Sequence, residues 1–212
     1  MTSKLKETLR LHALWLRGDS AGKRADLYGA SLSEADLYGA KLCDVELTAA
    51  NLSRAGMGGA DLRRADLSRA DLSEADLIAA NLRWADLRDA NLYGADLTAA
   101  KLIGAKLSGA KLSGADLRWT RGNDREIKNV ETDRWWITYT AEVMAIGCEQ
   151  HAIAEWFDFD DDTIAKMDKR ALKWWREWKP KLQQIIADDP AVKTGWEELC
   201  LTAADKIEED EV

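Results

Sequence analysis

The sequence predicts a mainly β fold: a coiled column with a helix before it and a small α+β unit after it. Three observations predict this. Leu recurs every fifth residue from Leu27 to Leu117, with Met57 in the one gap. Ala stands two residues before each, with Val45 the one replacement, so residues 25–119 divide into 19 units without an insertion. The period then stops at Trp119, and 8 of the 10 Trp lie in residues 119–212.

A period of five fits neither regular element. On an α-helix five steps come to about 140° beyond a full turn, so the leucines would spiral round every face. On a flat strand an odd period alternates faces and would point half of them at water. All face one interior only if the chain turns a corner once per unit, and stacked coils of that kind bury a continuous Leu and Ala core.

Units such as Ala25-Asp26-Leu27-Tyr28-Gly29 and Ala80-Asn81-Leu82-Arg83-Trp84 resemble the pentapeptide-repeat family. The resemblance implies a right-handed quadrilateral β-helix with four units per coil. Nineteen units then make nearly five coils, a rod roughly 23 Å long at the strand spacing of about 4.8 Å. Residues twenty apart share a face. Before the central Leu, one face displays Asp26, Glu46, Asp66, Asp86 and Lys106, and the opposite one Asp36, Gly56, Asp76, Asp96 and Asp116. The other two display Ser31, Asn51, Asp71, Asn91, Lys111 and Lys41, Asp61, Asn81, Lys101. Arg63, Arg64, Arg83 and Trp84 gather on the last of these, while Glu34, Arg54 and Glu74 alternate in sign along another edge. Gly56, Gly58 and Gly59 keep the register and offer no phosphate-binding loop.

Asp and Asn at these positions have a structural use, because their side chains bond nearby backbone amides in turns. The functional alternative is duplex mimicry: some members of the family it resembles bind DNA gyrase in place of DNA. The match would be one of field and shape, since phosphates on one strand are not spaced like coils.

A solenoid needs covered ends. Residues 1–24 supply a capping helix over 4–17, with Leu5, Leu9, His12 and Leu16 on one face, Gly18 ending it and Trp15 or Leu16 as the plug. His12 is then a packing residue. Residues 120–212 form a Trp-rich α+β domain. Residues 126–130 and 135–140 read as a hairpin around Glu131-Thr132-Asp133, followed by helices near 150–156, 161–168 and 169–187. Pro180 predicts a kink or break near Trp178, Pro190 follows the stop, and the acidic end from Asp205 to Val212 is expected to fray. Trp135, Trp136, Trp174, Trp175 and Trp178 serve as core, dimer seam or ligand platform, with core favoured. This block also resembles stretches of phage and prophage proteins through Met144-Ala145-Ile146-Gly147-Cys148, His151 and Glu155-Trp156.

The chain has 212 residues, 46 % hydrophobic, with a net charge of -8. Residues 25–118 hold 11 Lys/Arg against 14 Asp/Glu, or -3. An acidic balance excludes a plain nucleic-acid binder, which needs a basic footprint. No apolar run is long enough for a membrane span and no signal peptide opens the chain, so a cytoplasmic location is expected. Cys43, Cys148 and Cys200 read as reduced thiols. Cys148 and His151 are the one pair that could share a metal or form a nucleophile, but zinc would need two further ligands, and a small apolar Cys at a hairpin-to-helix corner is the favoured reading.

The expectation is therefore a non-catalytic interaction protein without cofactor or metal, of phage origin, that inhibits a host protein such as a DNA topoisomerase. Its partner-binding candidates are Asp36, Asp76, Asp96, Asp116, Arg63, Arg64, Arg83 and Trp84. The alternative is a solenoid spacer presenting a C-terminal binding or dimerisation domain.

Overall fold

The computed structural model describes residues 3–193. One unit shows why the column forms. In Ala65-Asp66-Leu67-Ser68-Arg69, the Asp66 N–H donates to the coil before it, at Val45 O (3.0 Å), and the Leu67 N–H to the coil after it, at Asp86 O (2.8 Å). The Arg69 N–H also reaches forward, to Arg88 O (2.8 Å), and Ala65 closes the previous corner by donating to Leu62 O (3.1 Å). That leaves the Ser68 N–H, which the Asp66 carboxylate accepts at 3.0 Å. All five donors are satisfied, as burial beside an apolar core demands.

Parallel bridges join residues twenty apart throughout, from Asp26–Glu46 to Lys101–Arg121. Four units therefore make one coil, and the four ladders are those expected. Each face is so short that bridges stay isolated and no extended strand forms. The corner is made by the last residue of every unit, which takes positive φ: Gly at seven positions such as Gly39 (62°), and non-Gly residues at the others, such as Arg64 (56°) and Trp84 (62°). Inside, Leu42 to Leu107 and Met57 have no exposed surface, and the alanines between them complete the filling. The column has no lumen to hold a ligand.

We number the faces in chain order: the first begins at Ala25, the second at Ala30, the third at Ala35 and the fourth at Ala40.

Before the column runs α1 (Ser3–Trp15), which ends as Gly18 takes positive φ (75°). Leu5 joins the solenoid core and Leu9 packs against it. The expected plug is wrong: Trp15 is 37 % exposed and Leu16 only half-buried, because the side chains that α1 buries are Leu5 and His12. The chain then doubles back so tightly that a Cβ on Gly22 would lie 2.1 Å from the Trp15 nitrogen.

After the column come β1 (Lys128–Glu131), β2 (Trp136–Tyr139), β3 (Val143–Ile146) and β4 (Glu149–Ala152), an antiparallel meander in that order. Helices α2 (Ile153–Asp158), α3 (Asp161–Met167) and α4 (Ala171–Asp188) follow. Asp160 caps α3 by accepting the Thr163 N–H. Ile137, Met144, Trp156, Ile164, Trp174, Trp175 and Leu182 form a core separate from that of the column. The hairpin expected at 126–140 is β1–β2, with Glu131 opposite Trp136. Strands β3 and β4 were not expected. Consequently the helix placed near 150–156 starts only at Ile153, and Cys148 lies in a β3–β4 turn rather than a hairpin-to-helix corner. The break near Trp178 is absent, and α4 runs through Pro180 because Trp174, Trp175 and Leu182 are buried on both sides of it. The acidic end, Asp205 to Val212, lies outside the described residues.

Candidate functional site: two adjacent faces of the column

The third face carries the acidic ladder Asp36, Asp76, Asp96 and Asp116, with Gly56 as its gap. Each carboxylate accepts the backbone N–H two residues on: Tyr38 at 3.2 Å, Ile78 at 2.9 Å, Thr98 at 2.9 Å and Arg118 at 3.0 Å. The structural use of these residues is thus realised on every rung. One oxygen is spent on the turn, and the charge stays on the surface. Asp116 differs, because Arg118 also forms an ion pair with it. Burial opposes its charge, but the Arg118 side chain and N–H outweigh burial and lower its pKa. The open part of the ladder is therefore Asp36, Asp76 and Asp96. At the gap, Tyr38 folds over Gly58, where a Cβ would meet its ring at 3.1 Å.

The fourth face turns the sign. Lys41, Asp61, Asn81, Lys101 and Arg121 form its ladder. Arg63 grips the Asp61 carboxylate with two bonds of 2.7 Å, and Arg64 grips Asp44 at 2.8 and 2.6 Å. These bonds lower the pKa of both carboxylates and raise those of both guanidiniums. Arg63 also reaches the buried Cys43 thiol at 3.5 Å, where burial, first, holds the thiol pKa up. With Arg83 and Trp84 these side chains border a cleft of about 670 Å³, closed at one end by Ala13, Leu16 and Arg17 of α1 and its exit. The structure thus brings Arg63, Arg64, Arg83 and Trp84 together, on the face next to the acidic ladder.

The C-terminal candidates do not converge. Cys148 is exposed, and its sulfur lies 3.9 Å from the Glu149 carboxylate. The His151 ring meets Trp156 and Phe159 edge-on at 5.2 and 4.9 Å, with Glu149 and Glu155 at 3.7 and 3.9 Å from its nitrogens. Among the described residues no group of three or more His, Cys, Asp or Glu is placed to hold a metal. The tryptophans are chiefly core: Trp156, Trp174 and Trp175 are buried, and Asp133 accepts the indole N–H of Trp174 and of Trp178, each at 3.2 Å.

One role escaped the sequence. Gln150 reaches the last coil, where its Oε1 accepts the Leu117 N–H (2.9 Å) and its Nε2 donates to Ala115 O (2.7 Å). These are the two bonds a further coil would make, so one carboxamide stands in for its peptide. Thr120 O likewise receives Asn129, Trp136 and Thr138 side chains. Nothing in local sequence marks Gln150, which lies 33 residues from Leu117.

Fold and faces define a class: a filled β-helical column whose chemistry lies on its outside. The chain belongs to the pentapeptide-repeat family. Eight copies of the pentapeptide-repeat model match within residues 23–118. A pentapeptide repeat protein from Nostoc Pcc 7120 is 34 % identical over 50 % of this chain and 71 % of its own, with a TM-score of 0.19. One from the thylakoid lumen of Arabidopsis thaliana is 36 % identical over 43 % of this chain and 64 % of its own (TM-score 0.43). One from the cyanobacterium Cyanothece 51142 is 39 % identical over 48 % and 62 % (TM-score 0.34). The chain thus spans less than two thirds of the last two. No curated protein matches it. In the described residues no helix is long and apolar enough to cross a membrane.

Proposed function

We propose that the chain is a non-catalytic interaction protein, of phage origin and working in the cytoplasm, that binds and inhibits a host protein. Residues 1–24 and 120–212 then serve as end units for the rod of residues 25–119. The target class that suits the rod best is an enzyme that handles DNA, such as a topoisomerase. The observation that carries this is the third face: Asp36, Asp76 and Asp96 stack on one ladder, with a single gap at Gly56, and each is fixed by a hydrogen bond to its own turn. A ligand for a DNA channel needs a fixed anionic field more than it needs phosphate register.

The test is a gyrase supercoiling assay with the purified chain. Inhibition is expected at micromolar protein, and Asp76→Lys/Asp96→Lys is expected to abolish it. An unaffected enzyme at that concentration, or equal inhibition by the double variant, removes the reading. The spacer alternative draws on the junction, where Gln150 and Thr120 fix the C-terminal unit on the rod. It predicts a phenotype for changes in residues 120–193 and none for the third face.

A further inference from the structure

The two adjacent faces carry opposite charge. The third holds four carboxylates, Asp36, Asp76, Asp96 and Asp116, against Arg118, which is -3. Within the repeat segment 25–119 the fourth holds Lys41, Arg63, Arg64, Arg83 and Lys101 against Asp44 and Asp61, which is +3. A surface built only to imitate a polyanion has no use for the second.

We propose that the fourth-face cleft docks an acidic peptide segment of a protein partner. Lys41, Arg83 and Arg17 would hold its carboxylates, and an apolar side chain would lie on Trp84. Four features of the cleft support this occupant. The first is a division of labour among the cations. Arg63 and Arg64 are already neutralised by Asp61 and Asp44 and shape the floor. Among the described residues, Lys41, Arg83 and Arg17 have no carboxylate within 4.0 Å.

The second is Asn81. Its Oδ1 is buried in the cleft lining without a hydrogen-bond partner, whereas the equivalent oxygens of Asn51 and Asn91 accept the N–H two residues on. An unsatisfied acceptor costs about 1–3 kcal/mol, and because this oxygen has no open surface it meets a peptide N–H only when the amide turns toward the cleft.

The third is Trp84, 59 % exposed yet held in place. Its ring lies against Gly104 on the next coil, where a Cβ would fall 2.0 Å from it. Only glycine lets the indole rest there, so the platform is set before any partner arrives.

The fourth is the size and setting of the cleft. A volume of about 670 Å³ takes a few residues, not a long chain. A short acidic segment sits within the roughly 8 Å over which the local cations dominate in physiological salt. A polynucleotide would also cross the -3 face beside it and meet a chain of net charge -8.

The experiment uses the full chain and a fluorescein-labelled peptide, Glu-Glu-Phe-Glu-Glu, in a fluorescence-anisotropy titration at low ionic strength. Binding is expected, weakened about tenfold or more by Lys41→Glu/Arg83→Glu and less by Trp84→Ala. Circular dichroism should show each variant folded, since all three side chains lie outside the core. Asp76→Lys/Asp96→Lys should bind the peptide undiminished, which separates this site from the acidic ladder. The proposal is overturned by a wild-type chain that does not bind, by a folded Lys41→Glu/Arg83→Glu variant that binds equally well, or by a DNA duplex that binds more tightly than the peptide.

Discussion

Asp is frequent before the central Leu because each unit has five backbone donors and neighbouring coils accept only some of them. The fifth, on the residue after Leu, needs a side-chain acceptor two positions back, and Asp or Asn supplies it, as Asp66 does for Ser68. The same carboxylates that make the acidic ladder therefore hold the corners. His12 is the counterpart at the entrance. It is fully buried, its Nδ1 accepts the Ala25 N–H at 3.1 Å, and burial, before any other cause, lowers its pKa. A His whose folded pKa lies below its unfolded value binds its proton more readily when unfolded. The stability it contributes is complete above the unfolded value of about 6.5 and declines as pH falls through it. A carboxylate held by an arginine, such as Asp44 or Asp61, adds a second loss only below about pH 4. Thermal midpoints should therefore be level from pH 8 to 7 and fall between pH 6.5 and 5, about where His titrates. His12→Gln, which keeps an acceptor but does not titrate, should flatten that fall. An equally steep fall in the variant would assign it to another group. The packing role of His12 was legible in the helix spacing; which leucine of α1 joins it in plugging the column was not, because Leu5 and Leu16 lie on the same stripe and only the approach of the chain decides between them.

The elements divide by how local their causes are. The repeat was legible down to the ladder members, because a five-residue period over a filled core leaves one solution and its register is a count. Helix α3 was legible from Asp160 to Asp162, and the β1–β2 hairpin from its β-branched and aromatic runs. Strands β3 and β4 were hidden. Each is four residues long, β3 is buried along nearly its whole length, and Glu149-Gln150-His151-Ala152 has no alternation and little strand preference. The one local mark is Gly147, whose φ of 61° makes the turn between them. Helix α4 survives Pro180 because burial of its Trp and Leu stripe outweighs a lost backbone bond. The junction depends on β4 through Gln150. Replacing it by Leu leaves the Leu117 N–H and Ala115 O without partners and should cost about 1–3 kcal/mol in chemical denaturation. Gln150→Glu keeps the acceptor but at neutral pH sets a carboxylate oxygen against the Ala115 carbonyl in place of the donor, so it should also be less stable than wild type. A Leu variant as stable as wild type would show that the carboxamide does not replace a coil.

On the scale of the molecule, a column with no lumen turns sequence register directly into surface. Positions twenty apart stack, and charge becomes a property of a face: -3 on the third and +3 on the fourth, from a repeat segment whose total is -3. The overall balance was legible in composition, and it masked this segregation. The cleft needed α1 as its end wall, and no repeat pattern contains α1. Both the inhibitory rod and the acidic-peptide cleft depend on the same claim, that each coil takes four units and returns residue n beside residue n+20.

Disulfide trapping tests that claim most directly. In a background with Cys43, Cys148 and Cys200 replaced by Ser, the pair Ser53→Cys/Ser73→Cys places two thiols one coil apart, about 4.8 Å between strands and within disulfide reach. A four-unit coil gives rapid, near-complete crosslinking on mild oxidation of the folded chain, and none for Ser53→Cys/Ser68→Cys, whose positions lie on adjacent faces. Crosslinking of the second pair in place of the first would contradict the four-unit coil and everything placed on its faces.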